Sequence, residues 1–171
     1  TIYKASNFKY FGYETSLFFE DIETGEVFHK VPLENTKRPY GMLTKNARYL
    51  DGKLKPFLVK TYKYIYPLYK KDKIKLTEVE YPKYDKGIIS TKYEHNLSLL
   101  VRLMIMYQYI GMKDYQYKCL EKIRSIIKSK DELIKEMENQ KKNESIIWYK
   151  DYYAENNKIK IIQKISEQNN L

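Results

Sequence analysis

Apolar residues crowd most densely between Asn96 and Met112, where NLSLLVRLMIMYQYIGM runs with scarcely a charge. Stepping about 100° per residue puts Leu97, Leu99, Leu100, Leu103, Met104, Met106, Tyr107 and Ile110 on one half of a helical cylinder. The other half holds Glu94, His95, Ser98, Arg102, Gln108 and Tyr109, but also Val101, Ile105 and Met112. That pattern predicts a helix covered on more than one side. Thr91-Lys92-Tyr93-Glu94 fits a capping box at its start, and Gly111 suits the left-handed residue at its end. A membrane span takes about 20 apolar residues, and this shorter run has Arg102 at its middle. Its polar face carries a single cation, which argues against a membrane-surface helix.

The helical period continues to the C-terminus. Asp114 is placed to cap a second helix, with Tyr115, Cys119, Leu120, Ile123, Ile126 and Ile127 on one face. Lys118, Lys122, Arg124 and Lys128 fall on the other, and the tight turn at Gly111 makes the two helices a hairpin. Ser129-Lys130-Asp131-Glu132 is a second capping box and opens a third helix. Its stripe of Leu133, Ile134, Met137, Trp148 and Tyr152 is interrupted by polar residues 139–145, so residues 130–155 read as one long helix or two short ones. Asn156-Asn157 precedes a last helix with Ile159, Ile162 and Ile165 in register.

Before residue 87 the period is two. Ser16–Phe19 and Val27–Val31 read as hairpin arms around the turn Glu23-Thr24-Gly25-Glu26, with Gly25 free to take positive φ. Pro32 ends the second arm, and Asn35–Gly41 reads as a loop. Asp51-Gly52 between Ala47–Leu50 and Lys53 onward suits a two-residue hairpin turn. The returning strand is Phe57–Tyr66, Pro67 stops it, Lys70-Lys71-Asp72 turns, and Lys73–Tyr81 is another strand. Five or six short strands in this span predict a small twisted antiparallel sheet or barrel. The expected fold class is therefore α+β in one domain of 171 residues: a β-rich half, 1–86, then a bundle of three to five helices, 87–171.

Charge sharpens the picture. The net charge is +10, and residues 35–86 hold most of the excess, with 14 basic side chains against Asp51, Asp72, Glu78, Glu80 and Asp85. Residues 1–34 are net acidic. Of the 32 basic residues only Arg38, Arg48, Arg102 and Arg124 are arginine. With 19 tyrosines and abundant Ile and Asn, this resembles the residue bias of AT-rich genomes, such as those of many phages, firmicutes or some parasites. It also weakens base reading, which favours arginine forks. The single Cys119 excludes an internal disulfide and suits a reducing compartment, and no signal-peptide pattern is visible. A cytoplasmic location follows, the host cytoplasm for a viral protein.

The main candidate surface is Lys53–Lys75: Lys53, Lys55, Lys60, Lys63, Lys70, Lys71, Lys73 and Lys75, interleaved with Tyr62, Tyr64 and Tyr66. Strand alternation puts those three tyrosines on one face with Leu58 and Lys60. Bases can stack on such a ladder at about 1–3 kcal/mol each while lysines neutralise phosphates. The plainer reading is that tyrosine is a good strand residue and this face packs on the helices. Arg38 and Arg48 join the candidate set. His29, between Val27 and Val31, reads as a hydrogen-bonded core residue before a catalyst. His95 and Arg102 are neighbours on the central helix, an anion pocket at the junction of the halves or a pair of structural side chains.

Catalytic signatures are lacking. Two distant histidines and one cysteine form no zinc constellation, and there is no phosphate loop, nucleophile elbow or paired-carboxylate motif. No cofactor or metal is implied. The leading expectation is a basic nucleic-acid-binding module, for RNA or single strands, of phage or mobile-element origin. The alternatives are a protein-interaction module whose basic patch meets an acidic partner, and a metal-independent endoribonuclease built from His29 or His95.

Overall fold

A computed structural model describes residues 2–69, 71, 73–83, 88–90, 92–150 and 154–169. A short helix α1 (Ile2–Ala5) leads into the long strand β1 (Lys9–Asp21), which turns back as β2 (Val27–His29). The turn is fixed by Asp21, whose Oδ1 accepts from the Glu23 and Thr24 amides at 3.1 Å, while Gly25 takes φ +69°. The first expected hairpin thus forms, with Phe18 opposite His29. Its second arm is shorter than expected, because Pro32 seeds a helical turn, α2 (Val31–Glu34).

The second expected hairpin does not form. Residues Pro39–Leu50 are a helix, α3, and Asp51-Gly52 is its C-terminal end, with Asp51 N–H donating to Ala47 O at 2.9 Å and Gly52 at φ +73°. A glycine with positive φ serves a helix C-terminus as well as a hairpin. The deciding signal is the spacing of the buried Met42, Leu43, Asn46 and Ala47, which is helical. Pro39 at the first turn suits a helix start, where its missing N–H costs nothing.

From Asp51-Gly52 the chain enters β3 (Leu54–Ile65), which pairs antiparallel with β1 along nearly its whole length. β4 (Ile88–Ser90) adds to Phe57–Val59, giving the order β2-β1-β3-β4. The fold is α+β as expected, and of the two expected forms, sheet or barrel, the described strands make a sheet, with fewer strands among the described residues than the five or six expected. The expected strand Lys73–Tyr81 forms no ladder among the described residues; Val79 N–H reaches Tyr10 O at 3.0 Å. Lys70 and Asp72 of the expected turn, Thr91 of the expected capping box and Tyr152 lie outside the described residues.

The helical part comprises α4 (Leu97–Ile110), α5 (Lys113–Ile126), α6 (Lys130–Lys141), α7 (Glu144–Trp148) and α8 (Ala154–Asn169). Helix α4 starts later than the capping box implied. Asn96 caps it, its side chain accepting from Leu99 N at 2.8 Å, and Gly111 closes it at φ +78°. Met112, not Asp114, precedes α5. The Ser129–Glu132 cap forms, Ser129 Oγ accepting from Glu132 N at 3.2 Å. The polar segment breaks the third helix in two, at Lys142–Asn143.

Helix α4 is the hub. Leu100, Leu103, Met106, Tyr107 and Ile110 are buried, and so are Val101 and Ile105 on the opposite side. Met42, Leu43 and Ala47 of α3, Cys119 and Ile123 of α5, and Ile161 and Ile165 of α8 join the same cluster. A smaller cluster, Phe19, Leu33 and Leu54 with Tyr49 and Tyr93 against it, joins the sheet to the helices. Beside it Arg48 pairs with Asp21 in a buried bridge, each side chain under 5% exposed. Burial pushes the Asp21 carboxyl up, but the Arg48 guanidinium and two backbone amides outweigh it and hold the pKa below its usual value.

Candidate nucleic-acid interface

The β1–β3 register decides which side chains share a face. Tyr10 opposes Tyr64, Tyr13 opposes Tyr62, Thr15 opposes Lys60, Leu17 opposes Leu58 and Phe19 opposes Pro56. One face therefore carries Phe19 at the end that packs on the helices and a group of tyrosines at the other. Gly12, at φ +86°, sits in the register shift between Tyr10 and Tyr13 and lets both rings lie on that side.

These rings are not an open ladder. Tyr3 of α1 stacks on Tyr64 at 4.4 Å and 9° between planes, and Tyr10 lies 5.2 Å from Tyr64 and 5.9 Å from Tyr81. Tyr10 is 4% exposed, whereas Tyr13, Tyr66 and Tyr69 are 52%, 49% and 64% exposed. The stacking surface is thus filled at its centre by the protein's own rings. Its rim is open.

The candidate cations divide the same way. Arg48 is buried on Asp21, Lys53 pairs with Glu23 at 3.1 Å and donates to Gln168 O at 2.9 Å, and Lys63 pairs with Glu14. Those three are engaged with the protein's own carboxylates. Lys60 lies over the Tyr13 ring at 5.2 Å. Lys55, Lys71, Lys73, Lys75 and Arg38 are exposed, Arg38 at the start of α3 and Lys55 beside Glu20 across the ladder. Lys71, Lys73 and Lys75 follow Tyr66 and Tyr69 in one segment beyond β3, which also exposes Leu68 and Leu76. That segment is seated on the end of β1, where Phe11, Pro67, Tyr69, Ile74 and Leu76 line a cleft of about 330 Å³.

The histidines are not brought together. His29 lies on the sheet face of Phe18, half-buried, its Nδ1 accepting from Val31 N at 3.3 Å. His95 lies beyond the other face, 4% exposed, its ring 4.3 Å from that of Tyr49. Among the described residues neither of its nitrogens has a hydrogen-bond partner. Burial, and secondarily the charge of Lys122, pushes its pKa down to about 3, so it is neutral at pH 7. Arg102 turns to α6, where Nε donates to Gln140 Oε1 at 3.0 Å, and Gln140 donates on to Ser98 and Glu136. His95 and Arg102 therefore engage different neighbours, the one Tyr49 and Tyr93, the other Gln140.

Sequence reading missed a cleft of about 630 Å³ where the sheet meets the helices. Tyr49, Phe57 and Tyr93 line it with Lys55, Lys92 and Lys122, and Glu20 and Glu94 also border it. Its residues come from α3, β3, the 92–94 segment and α5, so no local motif could announce it. Among the described residues no group of three or more His, Cys, Asp or Glu could hold a metal ion. None of the described helices is long and apolar enough to cross a membrane.

The class these features define is a small α+β protein whose antiparallel sheet ends in a basic, tyrosine-rich rim. Residues 1–83 match the model of the Mom protein family, a similarity consistent with a phage or mobile-element origin. The matched stretch holds β1 to β3 and the basic segment after them, and stops short of α4 to α8. No curated protein and no solved structure matches the chain.

Proposed function

We propose that the chain is a nucleic-acid-binding module that grips RNA or single strands through the rim of its sheet. The observation that carries this reading is the run of exposed Tyr66, Tyr69, Lys71, Lys73 and Lys75 on one segment. Exposed rings offer faces on which any base can stack, and lysines neutralise phosphates without reading sequence. Tyr62 and Tyr64 act here as the scaffold of the rim, since their neighbours are other tyrosines.

Fluorescence anisotropy with a labelled single-stranded oligonucleotide tests it. Each phosphate neutralised contributes about −0.7 to the slope of log affinity against log salt. Lys71→Glu/Lys73→Glu/Lys75→Glu is expected to abolish binding at moderate salt and leave the melting temperature unchanged. Unaltered binding by the triple variant would sink the proposal. No binding by the wild type at low salt would point instead to an acidic protein partner for the same cations. A ribonuclease built on the histidines gains no support, because His95 is sealed and neutral and His29 lies across the sheet from it.

A further inference from the structure

Lys122 stands apart among the described half-buried cations. It is half-buried, and among the described residues no carboxylate lies within ion-pair distance of it, whereas Lys118, one turn earlier on α5, pairs with Asp51. Its ammonium instead lies 5.5 Å from the centre of the Tyr49 ring. A partly desolvated ammonium without a counter-charge is a place where an anion gains more than it would on an open surface. The same tyrosine and cation border the 630 Å³ cleft, with Phe57 and Tyr93 as further aromatic walls and Lys55 on the strand side. The volume is in the range that small-molecule sites occupy.

The cleft is built to stay open. Tyr49 spends its hydroxyl on Tyr93 O at 2.6 Å, and the Tyr93 hydroxyl reaches Glu34 at 3.5 Å, so both rings are fixed from behind. His95 packs against both, 4.3 Å and 5.5 Å between ring centres, and among the described residues it has no hydrogen-bond partner. Two carboxylates border the opening. Glu20 faces Lys55 across the ladder, and Glu94 is exposed. Lys122 is the half-buried cation of this lining, and among the described residues no carboxylate lies within ion-pair distance of it.

We infer that this cleft binds a small planar anion, an aromatic ring bearing a phosphate or carboxylate, with the ring against Tyr49 and Tyr93 and the anionic group on Lys122. The site is separate from the basic rim and does not rest on the nucleic-acid reading.

Isothermal titration calorimetry at low salt with three probes tests it: phenyl phosphate, inorganic phosphate and phenol. Phenyl phosphate is expected to bind at least about tenfold tighter than either fragment, because it alone engages ring and ammonium together. Lys122→Met, which keeps the apolar stem and removes the charge, is expected to weaken phenyl phosphate by about tenfold. Should that variant fail to fold, Lys55→Met gives a second reading, with a smaller loss. The triple glutamate variant of the rim should bind phenyl phosphate as the wild type does. Absence of phenyl phosphate binding up to about 10 mM, affinity equal to inorganic phosphate, or an unchanged affinity in a folded Lys122→Met protein would each overturn the assignment.

Discussion

The body around α4 and the far end of the sheet solve the same packing problem with different side chains. In the body, branched and unbranched aliphatics close around Tyr107, whose hydroxyl donates to Leu43 O at 2.7 Å. At the sheet end, Tyr3, Tyr10, Tyr62, Tyr64 and Tyr81 lean on one another, and most keep part of their surface in water. Aliphatic packing has no use for solvent and yields a single arrangement. Tyrosines pack with one end wet and can exchange a protein neighbour for another flat partner at small cost. The first region is therefore scaffold, and the second keeps ring surface exposed.

The largest effect lies where the two regions are joined. Arg48 of α3 and Asp21 at the end of β1 are both buried and paired. Arg48→Met leaves the Asp21 carboxylate buried with only the turn amides as partners, and is expected to cost about 3–5 kcal/mol by urea denaturation. A loss below about 1 kcal/mol would mean that the sheet end and α3 are joined by apolar contacts alone.

Next comes a paired truncation. Leu103 is fully buried on α4, and Leu103→Ala is expected to cost about 3 kcal/mol through lost burial and the cavity left behind. Tyr13 is half-exposed on β1, and Tyr13→Ala is expected to cost under about 1 kcal/mol. Equal costs at the two positions would erase the distinction between scaffold and rim.

What the sequence makes legible divides along the same line. The α-helical half follows from local signals: the apolar run, Gly111, the Ser129–Glu132 cap and the polar break before Glu144 all act within a few residues. The first hairpin follows from Gly25 in the same way. Helix α3 was missed because Asp51-Gly52 is a strong local signal that two structures share, and only the burial of Met42, Leu43, Asn46 and Ala47 chooses between them. The strand Lys73–Tyr81 was expected from alternation, yet it meets the sheet at Val79 N–H alone among the described residues. At the candidate interface, alternation correctly grouped Tyr62 and Tyr64. It could not reveal that Tyr3, some 60 residues earlier, covers one of them, nor that Lys53 and Lys63 are tied to carboxylates. Long-range pairing is invisible to a periodic reading, and the cleft at Lys122 is entirely of that kind.

A moderate effect should come from pH, at the boundary between the regions. The folded pKa of His95 is depressed to about 3, below its ordinary 6.5, so the unfolded chain takes up the proton first as pH falls. The stability that the neutral ring contributes is complete above pH 6.5 and is lost progressively towards pH 3. Between pH 7 and pH 5 the loss is about 2 kcal/mol at 1.4 kcal/mol per unit of proton uptake. His95→Phe should flatten the curve in this window. A wild-type protein equally stable at pH 7 and pH 5 would show that the imidazole is hydrated after all.

The smallest effect on stability is the one that says most about the rim. Tyr3 belongs to a four-residue helix with no buried side chain and stacks face to face on Tyr64. Tyr3→Ala removes that stacked pair, worth about 0.5–1.5 kcal/mol at most and less for a ring 45% exposed. It also vacates one face of Tyr64, in the position a base would take. If Tyr3 is a placeholder, the variant should bind single strands about threefold more tightly in the anisotropy assay, because no protein ring has to be displaced first. A weaker complex would reverse the roles, making Tyr3 itself a ring that carries a base and leaving Tyr64 as its support.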